Sequence, residues 1–166
     1  MMFSSPELFT EAKKYLSQHQ EELLTDTEIV LKRLEIKDNI SDYSFLVSSI
    51  AKAYEGFLKD FFLKIDIISE VEYESERFRV GKTLNPSLRY KRFSVFQKLA
   101  NYHERGEELA EILWDAWKFG RNEIFHYFPS NYKSLNKSEA EERIDLLLRA
   151  MIQAGEFISQ TSTKVN

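Results

Sequence analysis

Residues Tyr43–Ile65 read YSFLVSSIAKAYEGFLKDFFLKI and carry the clearest helical pattern in the chain. Their apolar side chains recur three and four positions apart over about six turns. These positions are Leu46, Val47, Ile50, Ala53, Tyr54, Phe57, Leu58, Phe61 and Ile65. The spacing predicts one long helix, and we expect its apolar face to be buried against other helices.

Helical patterns also precede and follow this segment. We predict helices over Pro6 to about Leu34 (interrupted near Thr25–Thr27), Pro86 or Leu88 to Tyr102, Glu107 to about Phe128 (ended by Pro129), and Ser138 to Gln160 (opened by a Ser138/Glu141 capping box). A turn is expected over Lys37–Asp42. Between Ile67 and Tyr90 the helical period fades and apolar residues alternate with charged ones, which favours a short hairpin. We therefore predict that residues 1–166 form a single all-α domain, a bundle of four to five helices with a basic excursion between the second and third main helices.

The composition limits the class of protein. Hydrophobic residues make up 43% and charged residues 30% of 166, which is typical of one folded domain. Cysteine is absent, which excludes a disulfide scaffold, a zinc ribbon and thiol catalysis. We see no signal peptide, no apolar run that could span a bilayer, and no set of metal ligands. The expectation is a cytoplasmic protein that needs no cofactor or metal.

The net charge is −4, but the basic residues are unevenly distributed. Arg77–Lys98 contains seven basic residues and no acidic one, interleaved with aromatic residues. Such a segment suits phosphate contacts and stacking on unpaired bases, although a solvated face with half-buried aromatics fits it equally well. The candidate RNA-binding residues are Arg77, Arg79, Lys82, Arg89, Lys91, Arg92 and, further along the chain, Lys118.

Arg121–His126 reads RNEIFH, at the end of the predicted fourth helix. Asn122 and His126 are four apart and therefore share one helical face, within reach of the long Arg121 side chain. A permanent cation, an amide and a group that titrates near neutrality suit chemistry on a phosphate. Gly120 precedes them inside the helix, where glycine is unfavourable, which suggests close approach by a backbone or a ligand. The alternative is an ordinary helix end, with His126 capping a carbonyl and Arg121 in a local ion pair.

The spacing Arg121-Asn122-x3-His126 resembles the Arg-x4-6-His motif of the HEPN superfamily. The second helix, over Ala53–Lys59, is similar to the corresponding helix of RNase LS-type toxins, and the resemblance covers about residues 41–160. It implies a metal-independent endoribonuclease that acts as a homodimer and serves as a toxin or antiphage effector with a cognate antitoxin protein. By position, Arg121 would hold the scissile phosphate, His126 would be the general acid or base, and Asn122 would orient one of them.

Two features depart from the family pattern. RNase LS toxins carry extra N-terminal domains, whereas about 40 residues precede the matching region here. Phe128, beside Tyr127, stands where some HEPN toxins have a tyrosine that the antitoxin modifies.

Two alternatives stay open at this stage. Glu55 either forms an exposed ion pair with Lys59, four residues away, or reaches the motif and orients Arg121 or His126. The chain itself is either an active ribonuclease or a catalytically silent HEPN-like module that dimerises or binds a partner.

Overall fold

The computed structural model describes residues 6–34, 39–130 and 133–162, and throughout these ranges the secondary structure is helical, with no strand. The α-helices are α1 (Pro6–Lys13), α2 (Gln18–Arg33), α3 (Ser48–Lys64), α4 (Glu70–Glu74), α5 (Val80–Thr83), α6 (Val95–Ala100), α7 (Gly106–Trp117) and α8 (Lys137–Ser162). The predicted all-α class is confirmed. Within the same ranges, no helix combines the length and apolarity that a bilayer span requires. Part of the turn predicted over Lys37–Asp42 lies outside the described residues.

Helix α3 forms the centre of the bundle. It packs against α2 and α8, and it begins five residues later than predicted because Tyr43–Val47 form a 3₁₀ turn. All nine predicted apolar positions are buried, two of them in this turn and Ile65 just after the helix. The Tyr54 hydroxyl donates a 2.9 Å hydrogen bond to the Leu113 carbonyl and so joins α3 to α7. Complete burial raises the pKa of Tyr54 well above its usual range, so the hydroxyl remains a neutral donor. This bond fixes α3 relative to the helix that precedes the Arg121 motif.

The predicted interruption of the first helix is in the wrong place. The break falls at Lys14–Ser17, and α2 runs through Thr25–Thr27 without interruption. Ser17 and Gln20 form the capping box that starts α2. The Thr25 and Thr27 hydroxyls bond to carbonyls four residues earlier, which lets both threonines stay helical.

The predicted hairpin is also wrong, because Ile67–Tyr90 folds into α4, α5 and a 3₁₀ turn. Ser69 and Glu72 form a capping box that satisfies the first amides of α4 locally. Tyr73 then donates a 2.7 Å hydrogen bond to Asp60 of α3, while Val71 points into solvent. The alternation of apolar residues therefore has no common buried face, which a half-buried strand requires.

The later helices differ from the prediction at their ends. Helix α6 begins only at Val95, capped by Ser94, and the preceding turn starts at Pro86. Helix α8 begins at Lys137, because Asn136 and Glu139, rather than Ser138 and Glu141, exchange the capping hydrogen bonds. The fourth predicted helix ends several residues before Phe128, in the region that contains the candidate site.

Candidate functional site

The Arg121 motif lies where α7 changes from an α-helix to a π-helical turn. Helix α7 ends at Trp117, and Lys118–Asn122 form the wider turn, with the Glu123 amide donating to the Lys118 carbonyl at 3.0 Å. Single π turns of this kind are frequent at functional sites, because they change where the following side chains point. His126 lies beyond the turn, in an irregular segment, so the prediction of a helix to Phe128 is wrong.

Gly120 allows α8 to pack against this turn. A Cβ at Gly120 would lie 2.7 Å from both Cγ and Cδ2 of Leu147, a fully buried side chain of α8. Close approach was predicted correctly, but the neighbour is a side chain rather than a backbone or a ligand. The contact positions the turn, and with it Arg121, against the core.

Two side chains hold the Arg121 guanidinium. Its Nη2 donates a 2.8 Å hydrogen bond to Oε2 of Glu55 on α3, and its Cζ lies 4.5 Å from the Trp117 ring centroid. The side chains of Arg121 and Glu55 are 35% and 36% exposed. A guanidinium has five N–H donors, so this ion pair orients the group and leaves donors for an anion from solvent.

Of the two readings for Glu55, the structure favours the contact with the motif. Lys59 is directed elsewhere, since its Nζ lies 5.4 Å from the Tyr73 ring centroid and 6.0 Å from that of Phe78. Glu55 and Arg121 are 66 positions apart, and they meet because α3 packs beside the π turn.

His126 contacts Asn122, as their spacing predicts. Its Nε2 lies 3.4 Å from Asn122 Oδ1, and both side chains are exposed. When Nε2 carries the proton, it donates to the amide oxygen, and Nδ1 keeps a free lone pair. The pair therefore presents a solvent-accessible base beside the turn that carries Arg121.

The structure separates the predicted basic residues into different environments. Helix α5 lies against the indole that supports Arg121, because a Cβ on Gly81 would meet Trp117 Nε1 at 2.5 Å. This contact brings the α5 segment close to the motif. Arg79, just before α5, donates to the carbonyls of Glu76 and Phe78, and Lys82 of α5 lies 4.9 Å from the Phe93 ring centroid.

The other candidates are less directly connected to the motif. Arg89 forms a 2.8 Å ion pair with Glu107 and a hydrogen bond to Gln97, contacts that give it a role in packing. Arg77, Lys91 and Arg92 are exposed, and among the described residues none of their hydrogen bonds or ion pairs reaches the motif.

Two cations contact one aromatic ring near the π turn: Lys118, which was a predicted candidate, and Arg143, which was not. The Lys118 ammonium lies 4.9 Å from the Phe119 ring centroid, and the guanidinium of Arg143, from α8, lies 5.6 Å from the same ring. The Phe119 ring, two residues before Arg121, therefore makes cation–π contacts with two side chains. The helical spacing of α8 contains no signal for Arg143, because its position depends on how α8 crosses the turn.

A cavity of about 170 Å³ lies beside His126. It is lined by Asp42, by Ile124–Phe128, and by Lys133 and Ser134. Lys133 also pairs with Glu123 at 3.2 Å, which holds the rim of the cavity to the end of the π turn. Sequence reasoning missed this feature, because Asp42 is more than 80 positions from the other lining residues.

No protein-family model, curated protein or solved structure matches this chain. In the described ranges, no group of three or more histidine, aspartate or glutamate side chains could hold a metal ion. The function is therefore inferred from the side chains and their geometry.

Proposed function

We propose that this protein is an endoribonuclease that cleaves RNA without a metal ion, with Arg121 and His126 at its active site. The observation that carries the proposal is the held but accessible guanidinium of Arg121. Glu55 and Trp117 orient this cation, and Asn122 orients His126 Nε2 close by in the chain. Proton transfer at a phosphate requires a fixed cation together with an imidazole that can accept or donate a proton.

The reaction uses a nucleophile that RNA itself provides. The ribose 2′-OH attacks the adjacent phosphorus, and a histidine accepts its proton as the 2′-O–P bond forms. The P–O5′ bond breaks, and the leaving oxygen takes a proton, which gives a 2′,3′-cyclic phosphate and a 5′-hydroxyl. Arg121 neutralises the charge that develops on the phosphate oxygens.

The Arg121 motif offers only one histidine, His126, and this supports the proposal of a homodimer. Cleavage of this kind benefits from a base and an acid acting together, and a second copy would supply the second His126. A monomeric mass at micromolar concentration would count against a composite site. The resemblance to HEPN toxins further supports a cytoplasmic toxin or antiphage effector that a cognate antitoxin neutralises.

The proposal is tested with purified protein and a mixed-sequence RNA, in buffer with and without EDTA. We expect the wild type to cleave equally in both buffers, and His126→Ala to be slower by at least about a hundredfold. His19→Ala is the matched control, because His19 is also exposed and pairs with Glu22 in its own helix. The proposal fails if wild type and His126→Ala leave RNA equally intact, or allow equal growth when expressed in bacteria.

A catalytically silent partner-binding module is the second candidate. It is favoured by the ion pair that already occupies Arg121 and by the exposed apolar rings of Phe125 and Tyr127, which are 48% and 85% accessible. A protein that binds the product of a neighbouring gene but leaves RNA intact, with or without EDTA, would support this alternative.

A further inference from the structure

The cavity beside His126 is small and lies next to the Arg121 motif. At about 170 Å³ it is well below the several hundred Å³ of sites for drug-sized molecules, yet it has room for more than one water. This volume is large enough for one ring system of a ligand. The cavity opens where the chain leaves the π turn, so a group inside it lies next to His126.

Three aromatic residues contribute to the lining of the cavity. Tyr127 is 85% exposed and Phe125 is 48% exposed, and Phe128 also contributes to the lining. Large aromatic surfaces are normally covered, so rings left in solvent at the rim of a cavity are available for a ligand. Unpaired RNA bases stack on such rings, and stacking alone does not discriminate among the four bases.

Asp42, which also lines the cavity, supplies a fixed acceptor. Its Oδ1 accepts hydrogen bonds from the Ser44 amide (3.0 Å), the Ser44 hydroxyl (2.6 Å) and the Leu135 amide (3.1 Å). Among the described residues, no hydrogen bond is donated to Oδ2. Burial raises the pKa of Asp42, but these hydrogen bonds lower it by more, so the carboxylate stays ionised at neutral pH.

An ionised oxygen with free lone pairs selects among the bases. Guanine presents two neighbouring donors, N1–H and the N2 amino group, on its Watson–Crick edge, and one carboxylate oxygen can accept both. Adenine and cytosine present one amino donor beside a ring acceptor, and uracil presents one N–H between two carbonyls. The acceptor oxygens of those bases would face the negative charge of Asp42. A rigid, charged acceptor therefore favours guanine.

We propose that this cavity binds an unpaired guanine of the RNA, stacked on Tyr127 and recognised by Oδ2 of Asp42, so that cleavage occurs next to guanine. This inference rests on the proposed ribonuclease function, because it places the base beside the phosphate that Arg121 and His126 would act on. We expect the cavity to bind the other three bases with lower affinity.

Mononucleotide binding tests the inference without cleavage. Titration of the full chain with 3′-GMP, 3′-AMP, 3′-CMP and 3′-UMP, followed by NMR, should show 3′-GMP binding at least about tenfold more tightly than the others. Asp42→Asn keeps the Oδ1 acceptor and replaces Oδ2 with a donor, so the preference for 3′-GMP should disappear. Asp26→Asn, at an exposed position of α2, should leave it unchanged. Equal binding of all four nucleotides by the wild type would overturn the proposal.

A second variant covers the case in which Asp42→Asn does not fold. Tyr127→Leu alters a largely exposed ring and should weaken binding of every mononucleotide by about tenfold while keeping their order. Tyr102→Leu, at another partly exposed tyrosine, is its control. Binding unaffected by Tyr127→Leu would exclude the stacking surface.

Mapping the cleaved ends of RNA separates this inference from the ribonuclease proposal. Cleavage next to guanine that becomes indiscriminate in Asp42→Asn supports both. Cleavage without base preference, together with equal mononucleotide binding, overturns the guanine site and leaves the ribonuclease standing. Binding of 3′-GMP that depends on Asp42, in a protein that cleaves no RNA, supports the guanine site and refutes the ribonuclease.

Discussion

Replacing Glu55 with glutamine tests whether its ion pair positions Arg121 for catalysis. Two unit charges at about 4 Å attract by about 1 kcal/mol in water and about 4 kcal/mol at an effective dielectric constant of 20. Because both side chains are about one-third exposed, solvent screening and side-chain ordering reduce the net contribution to about 1 kcal/mol. In a domain of this size, that loss should lower Tm by about 2–4 °C.

The effect on RNA cleavage should be much larger than this loss of stability implies. A guanidinium that is free to leave the phosphate no longer stabilises the transition state, so we expect kcat to fall by about tenfold to a hundredfold well below Tm. Cleavage of a labelled RNA under saturating conditions measures kcat, and thermal unfolding measures stability.

Glu28→Gln provides the matched control. Glu28 forms a 2.6 Å ion pair with Lys13 that joins α2 to α1, with side chains 20% and 26% exposed. Its loss should cost similar stability and leave cleavage unchanged. If Glu55→Gln slows cleavage no more than Glu28→Gln does, the ion pair is purely structural and the reasoning is refuted.

Three further predictions concern stability. Gly120→Ala should destabilise the fold by about 1–2 kcal/mol in urea unfolding, because the strain against buried Leu147 exceeds the helix-propensity gain; an unchanged midpoint would show that Leu147 moves freely. Tyr54→Phe should cost about 1 kcal/mol by removing the hydrogen bond to the Leu113 carbonyl, and a stability equal to the wild type would contradict that bond. Asp42 has a lowered folded-state pKa, so it stabilises the protein above its ordinary pKa of about 3.9, and this contribution is lost as the pH falls through the folded-state pKa. The difference in Tm between wild type and Asp42→Asn should therefore shrink below about pH 4, and a constant difference from pH 7 to pH 3 would refute the assignment.

Helix patterns in the sequence predicted the core well where one face is buried over many turns. Every apolar position predicted for the second helix is buried, because a long amphipathic period leaves only one way to cover that face. The shorter segments were less predictable. In α4, the Ser69/Glu72 capping box determines the structure, although the apolar alternation around Val71 suggested a strand.

The predicted end of the fourth helix was wrong because the backbone hydrogen bonds change there from the α to the π pattern. The sequence Lys118–Asn122 has ordinary helical spacing, yet it forms a wider π turn that packs against α8 at Leu147. Widening a helical turn by one residue does not change the spacing of the apolar residues in the sequence. Neither the end of the regular helix nor the irregular segment around His126 could therefore be predicted.

In the candidate site, too, the contacts between residues close in sequence were predictable and the contacts between distant residues were not. The contact between Asn122 and His126 follows from residues four apart, and the fold class follows from periodicity and composition, because both depend on local spacing. The pairing of Glu55 with Arg121 could not be chosen from the sequence, since Lys59, four residues away, was the more obvious local partner. Packing of α3 beside the π turn decided it, because only the assembled bundle brings together charges that lie 66 positions apart. The cavity formed by Asp42 and the segment around His126 has the same origin.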